Sequence, residues 1–204
     1  MQDDVELLVA WREGDEVAGN LLFRRHFDAV YWFFRSKVAD QAEDLTQDTW
    51  HAIVRNRDSL AEVRSFRAYL FTAARSKLYD ALRARQRHGE LDPLSQSLED
   101  LGISPSEILG RHREQQLLVQ ALRKLPIEQQ LLLELRYFEQ MRGPELAAVL
   151  ELPEATVRSR LRRALDKLRV VVEQLSDEPG LVHSTLTDLT RWAQELRQPD
   201  VVTP

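Results

Sequence analysis

Arginine is the residue type that bounds what this chain can do, because it falls in two dense clusters at helical spacing. Between positions 64 and 87 stand Arg64, Arg67, Arg75, Lys77, Arg83, Arg85 and Arg87 against the single acid Asp80. Between 154 and 172 stand Arg158, Arg160, Arg162, Arg163, Lys167 and Arg169 against Glu154 and Asp166. A guanidinium fork holds phosphate or guanine through two parallel hydrogen bonds, so clusters of this kind suit nucleic acid. The opening of the chain has the opposite sign. Its first 48 residues hold 11 acids against 5 bases, and the whole chain has a formal net charge of −5. Two basic islands in an acidic chain point to two nucleic-acid contacts and a separate protein-binding surface.

Catalytic chemistry has no such support. The five histidines, His26, His51, His88, His112 and His183, show no metal-ligand spacing. There is no cysteine, which removes disulfides, thiolate ligands and a thiol nucleophile. No glycine-rich phosphate loop occurs, and no carboxylates pair on an apolar face as a tuned acid and base would. The expectation is a protein that is not an enzyme and takes no cofactor and no metal. No run approaches the ~20 apolar residues of a membrane span. Met1-Gln2-Asp3-Asp4 lacks the apolar core of a signal peptide. A cytoplasmic protein without membrane insertion is expected.

The elements that must position the clusters are helices. The spacing predicts helices over 4–12, 15–37 and 41–56, a loop over 57–63, and a long helix over 65–87. Residues 88–112 hold Gly89, Pro93, Gly102, Pro105 and Gly110 among acids and read as an acidic, flexible linker. Further helices follow over 113–125, from Pro126 to Phe138, from Pro144 to Leu150, and from Pro153 to about Leu175. The expected fold class is all-α, with two small helical domains joined by the linker. Their expected bounds are 1–87 and 113–172, with a C-terminal extension over 173–204.

Residues 144–168 have the form of a helix-turn-helix. A short helix is followed by the tight connection Glu151-Leu152-Pro153 and a longer helix. Val157, Leu161, Ala164 and Leu168 share one narrow arc, expected to face Leu146, Ala147, Leu150 and Leu152. Thr156, Arg158, Ser159, Arg160, Arg162 and Arg163 then project outward, where a helix of this size fits the major groove. In the first basic island, Arg64, Arg67, Phe71 and Arg75 form one stripe with an aromatic inside it. Such a stripe can hold a single strand, with phosphates on the arginines and a base on the ring.

Residues 122–169 resemble region four of bacterial sigma factors, through Leu125-Pro126, Gln130, Leu135 to Glu139, Glu145-Leu146-Ala147 and Thr156 to Leu161. The N-terminal half resembles region two, through Ala42-Glu43-Asp44-Leu45-Thr46-Gln47-Asp48-Thr49-Trp50, Phe66 to Phe71, and Ala73-Ala74-Arg75. Where the family often has glycine between the two motif helices, this chain has Glu151. Where it often has serine and an aromatic ahead of the first motif helix, the chain has Arg142 and Gly143. It commonly has asparagine where Ser76 stands. The two blocks in this order, with no domain between them, are the arrangement of the small extracytoplasmic-function class.

That resemblance implies a transcription initiation factor. Asp44, Gln47 and Asp48 would meet the β′ clamp helices of core RNA polymerase, and the polymerase β flap would be a further contact. The spacing puts these three on one helix face, where carboxylates can accept charge-assisted bonds. The resemblance assigns Arg64, Arg67, Phe71, Arg75 and Lys77 to melting of the minus-ten element, and the loop 57–63 to capture of a flipped base. It assigns the second motif helix to the minus-thirty-five element. Promoter DNA and core polymerase are the implied partners, with an anti-sigma protein as a further one. The alternative is a freestanding helix-turn-helix regulator that binds operator DNA alone, with 1–112 as a dimerisation or sensor module.

Beyond the resemblance, Val182, Leu186, Leu189, Ala193 and Leu196 recur at threes and fours beside Trp192, which predicts one amphipathic helix over 181–197. A short isolated helix is marginal in water, so the stripe is expected to pack on one of the chain's own domains. There it would either mask a DNA surface or simply add stability.

Overall fold

The computed structural model describes residues 2–62, 65–86, 90–103 and 112–197. The chain divides into two compact helical units. The first comprises Met1–Gly89 with the short stretch Ala147–Glu151, and the second comprises Glu90–Leu146 with Leu152–Pro204. Among the described residues there is no strand, only one isolated bridge between Ser97 and Pro126.

The first unit opens with α1 (Asp4–Arg12) and α2 (Glu16–Arg35). Asp3 and Glu6 form a reciprocal capping box on α1. Gly14, at φ +104, supplies the left-handed residue that lets the chain reverse. Asp15 then accepts from the backbone N–H of Val17 and Ala18 to start α2. A 3₁₀ turn (Ala39–Gln41) leads into α3 (Ala42–Arg55), and a second 3₁₀ segment (Arg57–Glu62) precedes α4 (Phe66–Arg85). Ser65 caps α4 through the Ala68 N–H at 3.2 Å. The core is built from Leu22, Val30, Phe34, Ile53, Phe66, Leu70, Ala74 and Leu78, all buried.

Asp4 pins α1 to α2. One carboxylate oxygen lies 2.7 Å from His26 Nε2, and the other accepts from Arg25 at 2.6 Å. Burial pulls the Asp4 carboxyl upward, but the bonds and charges of His26 and Arg25 outweigh it and hold it below its ordinary 3.8. A depressed carboxyl stabilises the fold above its unfolded value, and that contribution is lost as pH falls through the folded one. Asp4→Asn is therefore expected to cost about 1–3 kcal/mol near neutral pH. The difference from wild type should vanish below the folded carboxyl value, as read by urea unfolding across pH.

In the second unit, residues 90–103 of the segment expected to be a flexible linker are structured. Residues 90–103 lie along the start of α6 (Ile127–Tyr137) and the end of α5 (Arg113–Arg123). The carbonyls of Gln96 and Pro93 accept from Ile127 and Glu128 N–H at 2.9 and 3.0 Å. Pro126 has no side-chain acceptor for these orphan donors, so the preceding segment supplies the cap. Leu98 is fully buried, Glu99 pairs with Lys124 at 2.7 Å, and the buried Arg123 donates to the Ile103 carbonyl. The acids read as linker chemistry are turn formers. Asp92 accepts from Ser95 and Leu94, and Asp100 accepts from the Ser97 backbone and hydroxyl. These bonds hold both carboxyls below their ordinary value. The rest of the expected linker, at 88–89 and 104–111, lies outside the described residues.

The C-terminal stripe also differs from expectation. It forms two helices, α9 (Pro179–Thr187) and α10 (Leu189–Arg197), after α7 (Gly143–Leu150) and α8 (Glu154–Leu175). The break falls at Asp188, whose φ of −103 and ψ of 27 leave the helical region. The expected burial is met in part. Trp192 and Leu196 are buried, with Thr185 beside them, whereas Val182, Leu186 and Leu189 are half-buried, and the pair packs on α5, α6 and α8 of its own unit.

Candidate nucleic-acid and protein interfaces

In the helix-turn-helix, Glu151 stands at φ +56 between α7 and α8. This is the turn position where glycine is more usual, and a left-handed backbone costs a residue with a Cβ about 1–2 kcal/mol. With no serine to cap α7, Glu145 reaches back and accepts from the Arg142 N–H at 3.1 Å. Pro153 opens α8, its carbonyl accepting from Thr156 and Val157. Val157, Ala164 and Leu168 are buried, Leu161 half-buried, as the helical period requires. Leu146 and Leu150 are buried too, whereas Ala147 and Leu152 are half-buried.

Arg158, Ser159, Arg162 and Arg163 are exposed and Thr156 is half-buried. Among the described residues no carboxylate pairs with Arg158 or Arg162, one turn apart. Arg163 donates to the Ser159 carbonyl at 3.3 Å, and Ser159 to that of Thr156 at 2.9 Å. Arg160 departs from expectation. It is half-buried, with its guanidinium 4.0 Å from the buried Glu128 of α6. Two residues on from Arg158, it is rotated about 200° around the helix, so it faces the domain and not a groove.

The stripe expected on α4 does not form an open surface. Phe71 is fully buried, edge-on to Phe33 with centroids 5.5 Å apart, and offers no face to a base. The reason is the width of the buried arc. Phe66, Leu70, Ala74, Leu78 and Leu82 sweep round the helix because α4 packs on α1, α2 and α3. The i, i+4 steps through Phe71 fall inside that arc. Arg67, Arg75 and Lys77 are half-buried, and the Arg75 guanidinium lies over the Tyr79 ring at 4.9 Å. Arg64 lies outside the described residues. The exposed cation Arg83 is paired with Asp80 at 2.9 Å.

On α3, Asp44, Gln47 and Asp48 are all exposed on one face, while Thr46, Thr49, Trp50 and Ile53 are buried on the other. Among the described residues neither Asp44 nor Asp48 has a cationic partner. An apolar margin that neither charge nor motif spacing marks accompanies them. Phe23 is 40 % exposed against Trp50, and Val54 is 55 % exposed. Among the described residues no group of histidines and carboxylates could hold a metal ion, and no helix is long and apolar enough to cross a membrane.

Residues 22–88 match the family model described as Sigma-70 region 2, and residues 115–168 match Sigma-70, region 4. The chain is 33 % identical over 171 residues to the ECF RNA polymerase sigma factor RpoE of Cereibacter sphaeroides, covering 82 % of this chain and 93 % of that one. It is 26 % identical over 165 residues to the ECF RNA polymerase sigma factor SigX of Bacillus subtilis, covering 78 % and 85 %. Among solved structures it is similar to CnrH in complex with the cytosolic domain of CnrY, with a TM-score of 0.62 and 25 % identity over 85 % of this chain and 99 % of that one. The fold is also that of RpoE bound to the anti-sigma factor NepR from Bartonella quintana, with a TM-score of 0.59, 24 % identity, and coverage of 78 % and 98 %.

Proposed function

The chain belongs to the extracytoplasmic-function group of the sigma-70 family, and from that premise we propose how its two units divide promoter recognition. It is a transcription initiation factor that binds core RNA polymerase and directs it to promoters. Asp44, Gln47 and Asp48 form the face for the β′ clamp helices, since two exposed carboxylates can accept charge-assisted bonds from basic residues on a partner. The minus-ten element falls to the 57–63 loop, with Arg64, Arg67, Arg75 and Lys77 holding phosphates. Bound bases compensate for unstacking through contacts in such a site.

The minus-thirty-five element falls to Thr156, Arg158, Ser159, Arg162 and Arg163, and the β flap to the same unit. Arg160 acts at one remove, bracing α8 against Glu128. The chain runs no reaction of its own in this account. Solved relatives were captured with CnrY and with the anti-sigma factor NepR, and we include an anti-sigma protein among this chain's partners. A freestanding regulator is not favoured, because such a protein has no use for a Sigma-70 region 2 match over 22–88.

The observation that carries the minus-thirty-five assignment is the pair Arg158 and Arg162, exposed one turn apart on α8 and without a carboxylate partner among the described residues. Each of Arg158→Ala and Arg162→Ala is expected to cost about 1–3 kcal/mol at its own base pair. Holoenzyme binding to a panel of single-base promoter variants reads this. A uniform loss across the panel would mean phosphate contacts only, and no loss would leave both side chains in solvent.

A further inference from the structure

We infer that α1 is a positioning element for the 3₁₀ loop Arg57–Glu62, acting through Trp11 and Arg12, and so sets that loop's base selectivity at the minus-ten element. The inference rests on the reading above that this loop captures a base. It concerns a helix outside the 22–88 stretch that matches the family model.

Among the described residues, the loop is held by its own apolar anchor and by the end of α1. Its helical path breaks at Leu60, where φ is −82 and ψ is 15, and Leu60 is buried as its apolar anchor. The end of α1 supplies two further holds. Arg12 Nη2 donates to the Asp58 carbonyl at 3.4 Å, a contact across 46 residues. The Arg57 guanidinium stands 5.9 Å from the centroid of the Trp11 ring, within cation–π range. Arg57 Nε also lies 3.3 Å from Asp58 Oδ1, so both holds act on adjoining residues.

These holds transmit position only if α1 is itself fixed, and it is fixed at both ends. Near its start, Asp4 is tied to Arg25 and His26 of α2. Near its end, Trp11 is 8 % exposed and lies hard against the backbone of α2 at Gly19. A Cβ on Gly19 would stand 2.5 Å from the indole Cδ1 and Nε1. Only glycine admits so close an approach. Trp11 is thus seated in the space that Gly19 leaves open, with its ring within reach of Arg57.

The test uses reconstituted holoenzyme on promoters carrying each single-base change in the minus-ten and minus-thirty-five elements. Arg12→Ala is expected to reduce minus-ten discrimination about fivefold, the effect of one net hydrogen bond. Arg12→Lys should restore part of it. Gly19→Ala, which touches neither loop nor DNA and suits a helix, should produce the same loss by unseating Trp11. Core affinity and minus-thirty-five discrimination should stay at wild-type values. A double variant of the loop itself, Asp58→Gly with Ser59→Gly, separates the two claims. If it loses minus-ten discrimination while Arg12→Ala and Gly19→Ala keep theirs, the inference is overturned and the loop assignment stands. If the loop variant also keeps its discrimination, both fall. An equal loss of transcription on every promoter, together with a lower melting temperature, would make α1 a structural helix only and overturn the inference.

Discussion

Ending the chain after Leu175 is expected to destabilise the second unit and to give no gain in promoter activity. The deletion removes α9 and α10, and with them the buried Thr185, Trp192 and Leu196. It also strips the start of α5. Glu178 forks onto Arg113 at 2.5 and 3.0 Å, Glu195 accepts from Gln115 at 2.9 Å, and Glu114 accepts from Ser184 at 3.3 Å. The exposed ion pair adds little by itself. The buried apolar surface adds most, and the single change Trp192→Ala should cost about 3–5 kcal/mol. The indole N–H also donates to the Ser184 carbonyl at 3.2 Å, and after its removal that carbonyl keeps its bond from the Asp188 N–H. Masking of the DNA surface is not expected, because Arg158, Arg162 and Arg163 remain exposed with the helix pair in place. Thermal unfolding and run-off transcription of the truncated chain decide the point. Higher activity with an intact fold would restore the masking idea.

Reversing both charges in Asp44→Lys/Asp48→Lys is expected to weaken holoenzyme assembly by about 3 kcal/mol, roughly a hundredfold in Kd. Both side chains are exposed and unpaired among the described residues, so their replacement leaves no buried partner orphaned and the fold should survive. The loss should shrink as salt rises, since screening weakens attraction and repulsion alike. Retained assembly with altered promoter choice would move these residues from the polymerase face to the DNA face. Phe23 and Val54 extend the same face. Trimming either to alanine gives a milder test of whether the apolar margin is part of it.

Periodicity was a sound guide wherever one side of a helix is buried and the other wet. The apolar arc of α8 and the exposed trio on α3 were legible for that reason. It misled on α4, which packs on three helices. There the spacing that aligns Arg67, Phe71 and Arg75 says they share a side, but not that the side is wet. Arg160 failed for a related reason, since a cation in a basic run can still turn inward to meet a buried carboxylate. Residues 90–103 looked like a linker because their prolines, glycines and acids are turn chemistry. That the turns serve as a cap for α6 depends on contacts with residues some thirty positions later, which local patterns do not carry. The break at Asp188 was hidden because the apolar spacing of Leu186, Leu189 and Ala193 runs on across it in the sequence. The hold of Trp11 and Arg12 on the 57–62 loop had no sequence signal beyond a glycine at position 19.

In the proposed function, this chain confers promoter specificity on a polymerase and has little of its own. Its net charge of −5 works against tight unaided binding to phosphate. Run-off transcription from a randomised promoter pool, with core enzyme and with or without this chain, tests the claim most directly. Defined start sites are expected only when the chain is present, from promoters sharing two separated elements, with no tight binding of the chain alone to those promoters at physiological salt. Unchanged transcription by core enzyme, together with tight and specific binding of the free chain to duplex DNA, would contradict it.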